Sequence, residues 1–149
     1  MKSIFNKETR DEVINRINLL DINKHPQWGK MTVTQMVTHC YRCEEYYFGN
    51  VKIKRSLLGR IFGNAAIKAI LKDENSGLGK NAPTSPILKV VEEPKNLEAE
   101  KQKWKSLIER YSMFNNEEFN HWFFGRMTKE QTGQFIYKHC EHHLKQFGV

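Results

Sequence analysis

The sequence has no long apolar run, and this limits where the chain can reside. Its 149 residues contain no stretch approaching the roughly 18 to 20 apolar residues that a membrane-spanning helix requires. The N-terminal MKSIFNKETRDE also lacks the apolar segment of a secretory signal peptide. We therefore expect neither a membrane span nor an export signal.

Cysteine is scarce, with three residues in the whole chain. That odd, small number does not suit the disulfide framework of a secreted domain, so we expect a reducing cytoplasm. Cys40 and Cys43 form a C-x-x-C motif, which in thioredoxin-like proteins sits at a helix N-terminus after a strand. Here the motif falls two turns into a predicted helix and faces its apolar side. We interpret these cysteines as core residues rather than as a redox or zinc-thiolate pair.

Period-two alternation is also missing, which argues against β-strands and predicts an all-α class. The length and the aromatic content, with nine Phe, five Tyr and three Trp, indicate one folded domain spanning residues 1–149. Four segments carry apolar residues at helical spacing. The predicted helices cover residues 7–20, 32–49 and 97–114, and from 128 nearly to the C-terminus. Two of them open on capping boxes, Thr32 with Gln35 and Thr128 with Gln131.

The second and third of these helices are separated by 46 residues, from 50 to 95. Such a connection is far longer than the roughly two to eight residues that join neighbouring bundle helices. Within it, SLLGRIFGNAAIKAIL predicts an extra helix. We therefore expect a four-helix bundle with a long crossover, in which the helices before and after it run in the same direction.

Acidic residues are almost absent from the segment between Val51 and Lys80, although the whole chain carries a net charge of +7. This basic segment mixes Lys and Arg with Leu, Ile and Phe, so one interpretation is a solvated helix that covers the bundle. An alternative function is a non-catalytic binding module acting on an anionic surface, membrane or nucleic acid. Specific nucleic-acid recognition is poorly supported, because no helix-turn-helix signature, glycine-rich phosphate cradle or stacking array occurs.

Three of the six histidines stand together in the closing YKHCEHHLKQFGV. At 100° per residue, His143 falls near the centre of the apolar face of the last helix and His139 at its shoulder, whereas His142 joins the charged side. The inward pair has i, i+4 spacing, which allows two imidazoles to reach one metal ion from a single helix.

His39 is the third candidate ligand, because it flanks the apolar stripe of the second predicted helix. It lies about 10 Å beyond Thr32, and His139 lies about 16 Å beyond Thr128, at about 1.5 Å per residue. In two antiparallel helices about 25 Å long, a point about 16 Å along one lies opposite a point about 9 Å along the other, so His39 and His139 are expected at the same depth. We predict a divalent-metal site on His39, His139 and His143; the competing interpretation is three half-buried core histidines bonded to carbonyls.

Three imidazoles leave a coordination position open, as a reactive metal site requires. An ion there lowers the pKa of a bound water to about 7 or holds a thiol as thiolate, which gives a nucleophile. Gln146 and Tyr46 are the polar neighbours expected to orient a ligand, unless they are ordinary flank residues. His121, in the aromatic loop 115–127, is the spare ligand.

Gly29-Lys30-Met31-Thr32, Gln35-Met36-Val37-Thr38-His39-Cys40 and the block from His139 to Gly148 resemble a domain-of-unknown-function subgroup of the DinB-like (DinB/YfiT-like) superfamily. The resemblance implies a four-helix bundle, often a homodimer, that holds zinc or nickel on His39, His139 and His143. It also implies a small-molecule substrate, with a low-molecular-weight thiol as one class.

Together these observations predict a metal-dependent enzyme of unassigned reaction, either thiol-dependent group transfer or hydrolysis. The sequence assigns no catalytic residue beyond the metal ligands.

Overall fold

The computed structural model describes residues 1–116 and 119–149. The chain is mostly helical, with five α-helices and one small antiparallel sheet in the described ranges. The α-helices are α1 (Lys7–Asn18), α2 (Val33–Tyr47), α3 (Leu57–Ile70), α4 (Leu97–Arg110) and α5 (Lys129–Gln146). The strands are β1 (Asn120–His121) and β2 (Gly125–Arg126). No helix of the described residues is both long enough and apolar enough to cross a membrane.

The predicted helix starts are confirmed, and at α2, α4 and α5 a side chain accepts a hydrogen bond from a backbone amide of the first turn. Thr32 and Gln35 form the capping box of α2, and Thr128 forms the same box with Gln131 at the start of α5. Asn96 accepts a hydrogen bond from Ala99 N at 3.0 Å and so caps α4. Helix α1 begins after Asn6, but the Asn6 side chain makes no capping hydrogen bond.

The side-chain contacts fix the relative directions of the long helices. Along α2 and α4, Thr38 bonds Glu100 and Glu44 bonds Trp104, so these two helices run in the same direction. Helices α2 and α5 are antiparallel, because His39 lies beside His143 whereas Tyr47 lies beside Phe135. The connection between α2 and α4 carries α3, as the sequence predicts, and also a 3₁₀ turn at Pro86–Leu88.

The chain is mostly helical, as the all-α prediction expects, but the structure adds a small hairpin formed by β1 and β2 that was not predicted. Gly125 adopts φ +87°, a conformation that favours glycine, and so lets the chain turn back. Nδ1 of His121 accepts hydrogen bonds from the backbone amides of Phe123 and Phe124, which closes the turn. Each strand has only two residues, too few to show the alternation by which strands are recognised in a sequence.

Helix α3 packs on this hairpin through glycine. A Cβ at Gly59 would lie 2.4 Å from the carbonyl oxygen of Phe123, and one at Gly63 would lie 2.1 Å from it. Arg55 strengthens the contact, because its guanidinium donates to the carbonyl oxygens of His121 and Phe123. The face that α3 turns toward the hairpin is therefore formed by two glycines.

Candidate metal centre

The three predicted histidines come together between α2 and α5. The ring centroids lie 5.5 Å apart for His39 and His139, 5.0 Å for His39 and His143, and 4.8 Å for His139 and His143. All three side chains are buried. The spacing arises because His139 and His143 are one turn apart on α5 and the antiparallel α2 brings His39 to the same depth.

His39 is oriented by the backbone of the crossover. Its Nδ1 lies 2.9 Å from the carbonyl oxygen of Leu88, and a carbonyl can only accept, so Nδ1 carries the proton. Nε2 of this ring therefore holds the lone pair. The Leu88 carbonyl is held in place by the 3₁₀ turn, whose N-cap Ser85 accepts a hydrogen bond from Ile87 N.

His143 is oriented by a two-step relay through Gln146. Nε2 of Gln146 donates to the carbonyl oxygen of Trp28 at 2.7 Å, which fixes the amide with Oε1 toward His143. That Oε1 lies 2.9 Å from Nδ1 of His143 and accepts its proton. Nε2 of His143 consequently holds a lone pair, as in His39. The sequence pointed to Gln146 as a residue that orients a ligand; in the structure it orients a histidine.

His139 differs from the other two histidines. Its Nδ1 is buried and has no hydrogen-bond partner among the described residues. A buried polar atom without a partner costs roughly 1 to 3 kcal/mol. No protein group within residues 1–116 and 119–149 recovers this cost.

All three imidazoles are neutral at pH 7. Burial lowers the pKa of His39 and lowers the pKa values of His139 and His143 well below the ordinary value for histidine. The proximity of the rings to one another adds to the effect, because two cations this close would repel. The neutral ring is the form that binds a metal ion.

Cys43 joins this group from the next turn of α2. Its Sγ lies 3.6 Å from Nε2 of His39, close enough for the thiol to donate a weak hydrogen bond there. His39, Cys43 and His139 each offer a ligand atom, and these atoms lie within 4.8 Å of one another. This buried group can therefore hold a metal ion, and Cys43 is a donor that the sequence analysis assigned only to the core.

All three cysteines lie in the interior of the protein. Cys40, Cys43 and Cys140 are all buried and free of disulfides. Burial raises their pKa values well above the ordinary thiol value, so none is a reactive thiolate in the protein alone.

The remaining candidates have structural contacts elsewhere. His142 turns away from the core and packs edge-on against Trp28, with ring centroids 5.4 Å apart. His121 closes the hairpin turn, and burial lowers its pKa to about 3. The Tyr46 hydroxyl accepts a hydrogen bond from Trp122 N at 2.6 Å, which attaches α2 to the same hairpin.

A buried carboxyl group lies on α2 five residues beyond His39 and was not predicted. Glu44 is fully buried and accepts hydrogen bonds from Trp104 Nε1 at 3.3 Å, Cys140 Sγ at 3.4 Å and the Tyr111 hydroxyl. Burial raises its pKa to about 7, although these hydrogen bonds oppose the rise. The only sequence signal was an acidic residue at a position where the helix faces the core.

Comparison with known proteins gives one match. A family model described as "Protein of unknown function (DUF1569)" covers residues 4–148. No curated protein and no solved structure matches the chain.

The expected DinB-like membership is wrong. The matched family is a different one, it spans nearly the whole chain, and nothing in the comparison connects it to that superfamily. The resemblance rested mainly on short blocks at two helices, and the capping boxes in those blocks are a general way to start a helix rather than a mark of one family. Homodimerisation and the thiol substrate, which followed from the resemblance, lose that support.

Proposed function

The chain belongs to DUF1569, a family of proteins of unknown function, and we propose that it is a metal-dependent enzyme whose divalent ion is held by His39, His139 and His143. The reaction itself stays unassigned. Hydrolysis or group transfer is the class that fits, because both need a nucleophile activated at neutral pH.

The observation that carries this proposal is the unpartnered Nδ1 of buried His139. Around it, His39 and His143 donate their Nδ1 protons to Leu88 and Gln146, which leaves the Nε2 lone pair of each ring as the one that can bind a metal ion. Histidines that ligate metals commonly donate their other ring N–H to a carbonyl in this way. Ordinary core histidines would satisfy one another or the backbone, and His139 does neither.

The donor set favours a borderline-soft ion. Neutral imidazoles, with a thiol beside them, suit Zn²⁺ or Ni²⁺ better than Mg²⁺ or Ca²⁺, which prefer oxygen ligands. When bound, such an ion supplies Lewis acidity and brings the pKa of a coordinated water or thiol close to neutrality. Leu88 and Gln146 hold the rings of His39 and His143 in one orientation, and the surrounding core buries the three histidine side chains.

The arrangement of the helices is part of the same proposal. Helices α1, α2, α4 and α5 would form a four-helix bundle, with α3 in the crossover and one domain over residues 1–149. The directions of α2, α4 and α5 support this arrangement. The substrate is a small molecule, and a cytoplasmic location stays a prediction from cysteine usage.

Two donor sets compete at this site, the three histidines and the group His39, Cys43 and His139. Titration with Co²⁺ distinguishes them, because a thiolate ligand adds an intense near-ultraviolet charge-transfer band that imidazole does not. With three histidine ligands we expect no such band, and Cys43→Ala leaves the visible spectrum intact. A strong band that Cys43→Ala removes would assign the thiolate set instead.

Metal analysis of protein purified without a histidine tag tests the proposal itself. We expect one equivalent of zinc or nickel in the wild type and loss of that metal in His143→Ala. His142→Ala is the matched control, since it removes the neighbouring imidazole from the outer side of the same helix. The proposal fails if the wild type holds no stoichiometric metal after growth and dialysis with zinc and nickel.

A further inference from the structure

Helix α3 exposes four large apolar side chains on its first two turns. Leu57, Leu58, Ile61 and Phe62 have 77%, 64%, 72% and 56% of their surfaces accessible. A set of neighbouring apolar side chains this exposed is uncommon on a protein surface and marks an interaction site.

Packing of α3 does not require these side chains. Gly59 and Gly63 seat the helix on the hairpin, and together with Ile67 they are its buried residues. Leu57, Leu58, Ile61 and Phe62 occupy the opposite side. These four side chains are not buried against the rest of the chain. A surface outside the chain is therefore needed to bury them.

The charged residues around this face indicate the chemical character of the partner surface. Residues 51–72 contain no Asp or Glu, and they contain six basic residues. Five of these are exposed: Lys52, Lys54, Arg60, Lys68 and Lys72. At 100° per residue, Lys68 shares the outward face with Leu57 and Ile61. Lys72 follows the end of the helix. The helix therefore presents apolar side chains near its start and positive charge beside and beyond them.

We infer that α3 docks the protein onto an anionic lipid surface, with Leu57, Leu58, Ile61 and Phe62 entering the headgroup boundary and the Lys and Arg side chains contacting lipid phosphates and carboxylates. An amphipathic helix of this composition lies in the plane of the interface. Each basic residue near such a surface adds to the attraction.

Other partners fit the same face less well. A second copy of the chain would bring two acid-free basic segments together, and like charges in contact oppose association. Nucleic acid would satisfy the charge but leave the Leu and Ile side chains in water, since it is recognised by hydrogen bonds and by stacking on aromatic or guanidinium groups. A lipid surface accommodates both properties at once.

Vesicle flotation with the full-length protein tests this inference. We expect binding to vesicles of phosphatidylcholine and phosphatidylserine, weak binding to phosphatidylcholine alone, and release at high salt. Replacing Leu58 and Ile61 together with Ser should weaken partitioning about tenfold or more, because two apolar side chains no longer enter the interface. Replacing Arg60 and Lys68 with Ser should weaken binding to the anionic vesicles only.

Matched controls make the same chemical changes elsewhere. Leu19 and Ile22 are also large and exposed, so Leu19→Ser with Ile22→Ser removes equal apolar surface away from α3. Lys30→Ser with Lys95→Ser removes equal charge. The inference is overturned if the wild type does not float with anionic vesicles, or if the control pairs weaken binding as much as the α3 pairs.

Two further outcomes also count against the lipid surface. One is a concentration-dependent dimer that the Leu58 and Ile61 changes abolish while vesicle binding is absent. The other is salt-sensitive DNA binding without vesicle binding. Metal content is measured separately and does not depend on the result, so the metal proposal and this inference fail independently.

Discussion

Replacement of Glu44 by Gln should remove a pH-dependent cost to folding. Burial raises the pKa of this carboxyl group from 4.5 to about 7. The folded protein therefore holds the Glu44 proton more tightly than the unfolded chain does. The free energy of unfolding therefore falls as the pH rises from the pKa of Glu44 in the unfolded chain to its pKa in the folded protein. Above the second pKa the loss is constant.

The magnitude follows from the size of the shift. A rise from 4.5 to about 7 corresponds to about 3 kcal/mol of unfolding free energy. Gln keeps the shape of the side chain and stays neutral at all pH values. Its Oε1 can accept from Trp104 and Cys140, and its amide nitrogen can donate to the Tyr111 hydroxyl, which accepts as well as donates.

Urea unfolding of both proteins between about pH 4 and pH 8, with chelator present, measures the effect. We expect nearly equal stabilities at the acidic end and a Gln variant more stable by up to about 3 kcal/mol at the alkaline end. The buried histidines titrate in both proteins, so their contribution cancels in the difference. Glu109→Gln makes the same chemical change at an exposed position of α4 and serves as the matched control. A Glu44→Gln difference that is constant across this range would refute the reasoning.

Three other predictions follow from single contacts. Gln146→Leu should weaken zinc binding by about 10- to 100-fold in a competition titration, because His143 loses the acceptor that orients it; unchanged affinity would contradict this. Gly63→Ala should lower the unfolding free energy by about 1 to 3 kcal/mol in urea, since its Cβ meets the Phe123 carbonyl, whereas exposed Asn64→Ala should not. A thiol reagent should modify none of the three buried cysteines until the protein unfolds, and rapid native labelling would contradict their assignment to the core.

Periodicity and capping chemistry predicted much of the helical framework. The boxes at Thr32 and Thr128 fixed where α2 and α5 begin, because the signal lies within four consecutive residues. The helical wheel then separated inward His139 and His143 from outward His142, which agrees with their burial. Counting residues from the two caps was sufficient to expect His39 at the level of His139, because the rise of an α-helix varies little.

The contacts that orient the site could not be predicted in this way. The Leu88 carbonyl and the Trp28 carbonyl both come from irregular segments, which have no period to show where the backbone lies. Any residue offers a carbonyl, so the identity of Leu88 carries no signal. Cys43 is buried in the core, as predicted, but its distance from the His39 ring could not be predicted, because a helical wheel gives only the direction of a side chain.

The most direct test of the account is a crystal structure of the tag-free protein with anomalous data collected on both sides of the zinc and nickel edges. We expect one anomalous peak between α2 and α5, within bonding distance of ring nitrogens of His39, His139 and His143. A crystal grown with zinc and nickel that shows no peak among these rings, with Nδ1 of His139 bonded instead to water or protein, would contradict it.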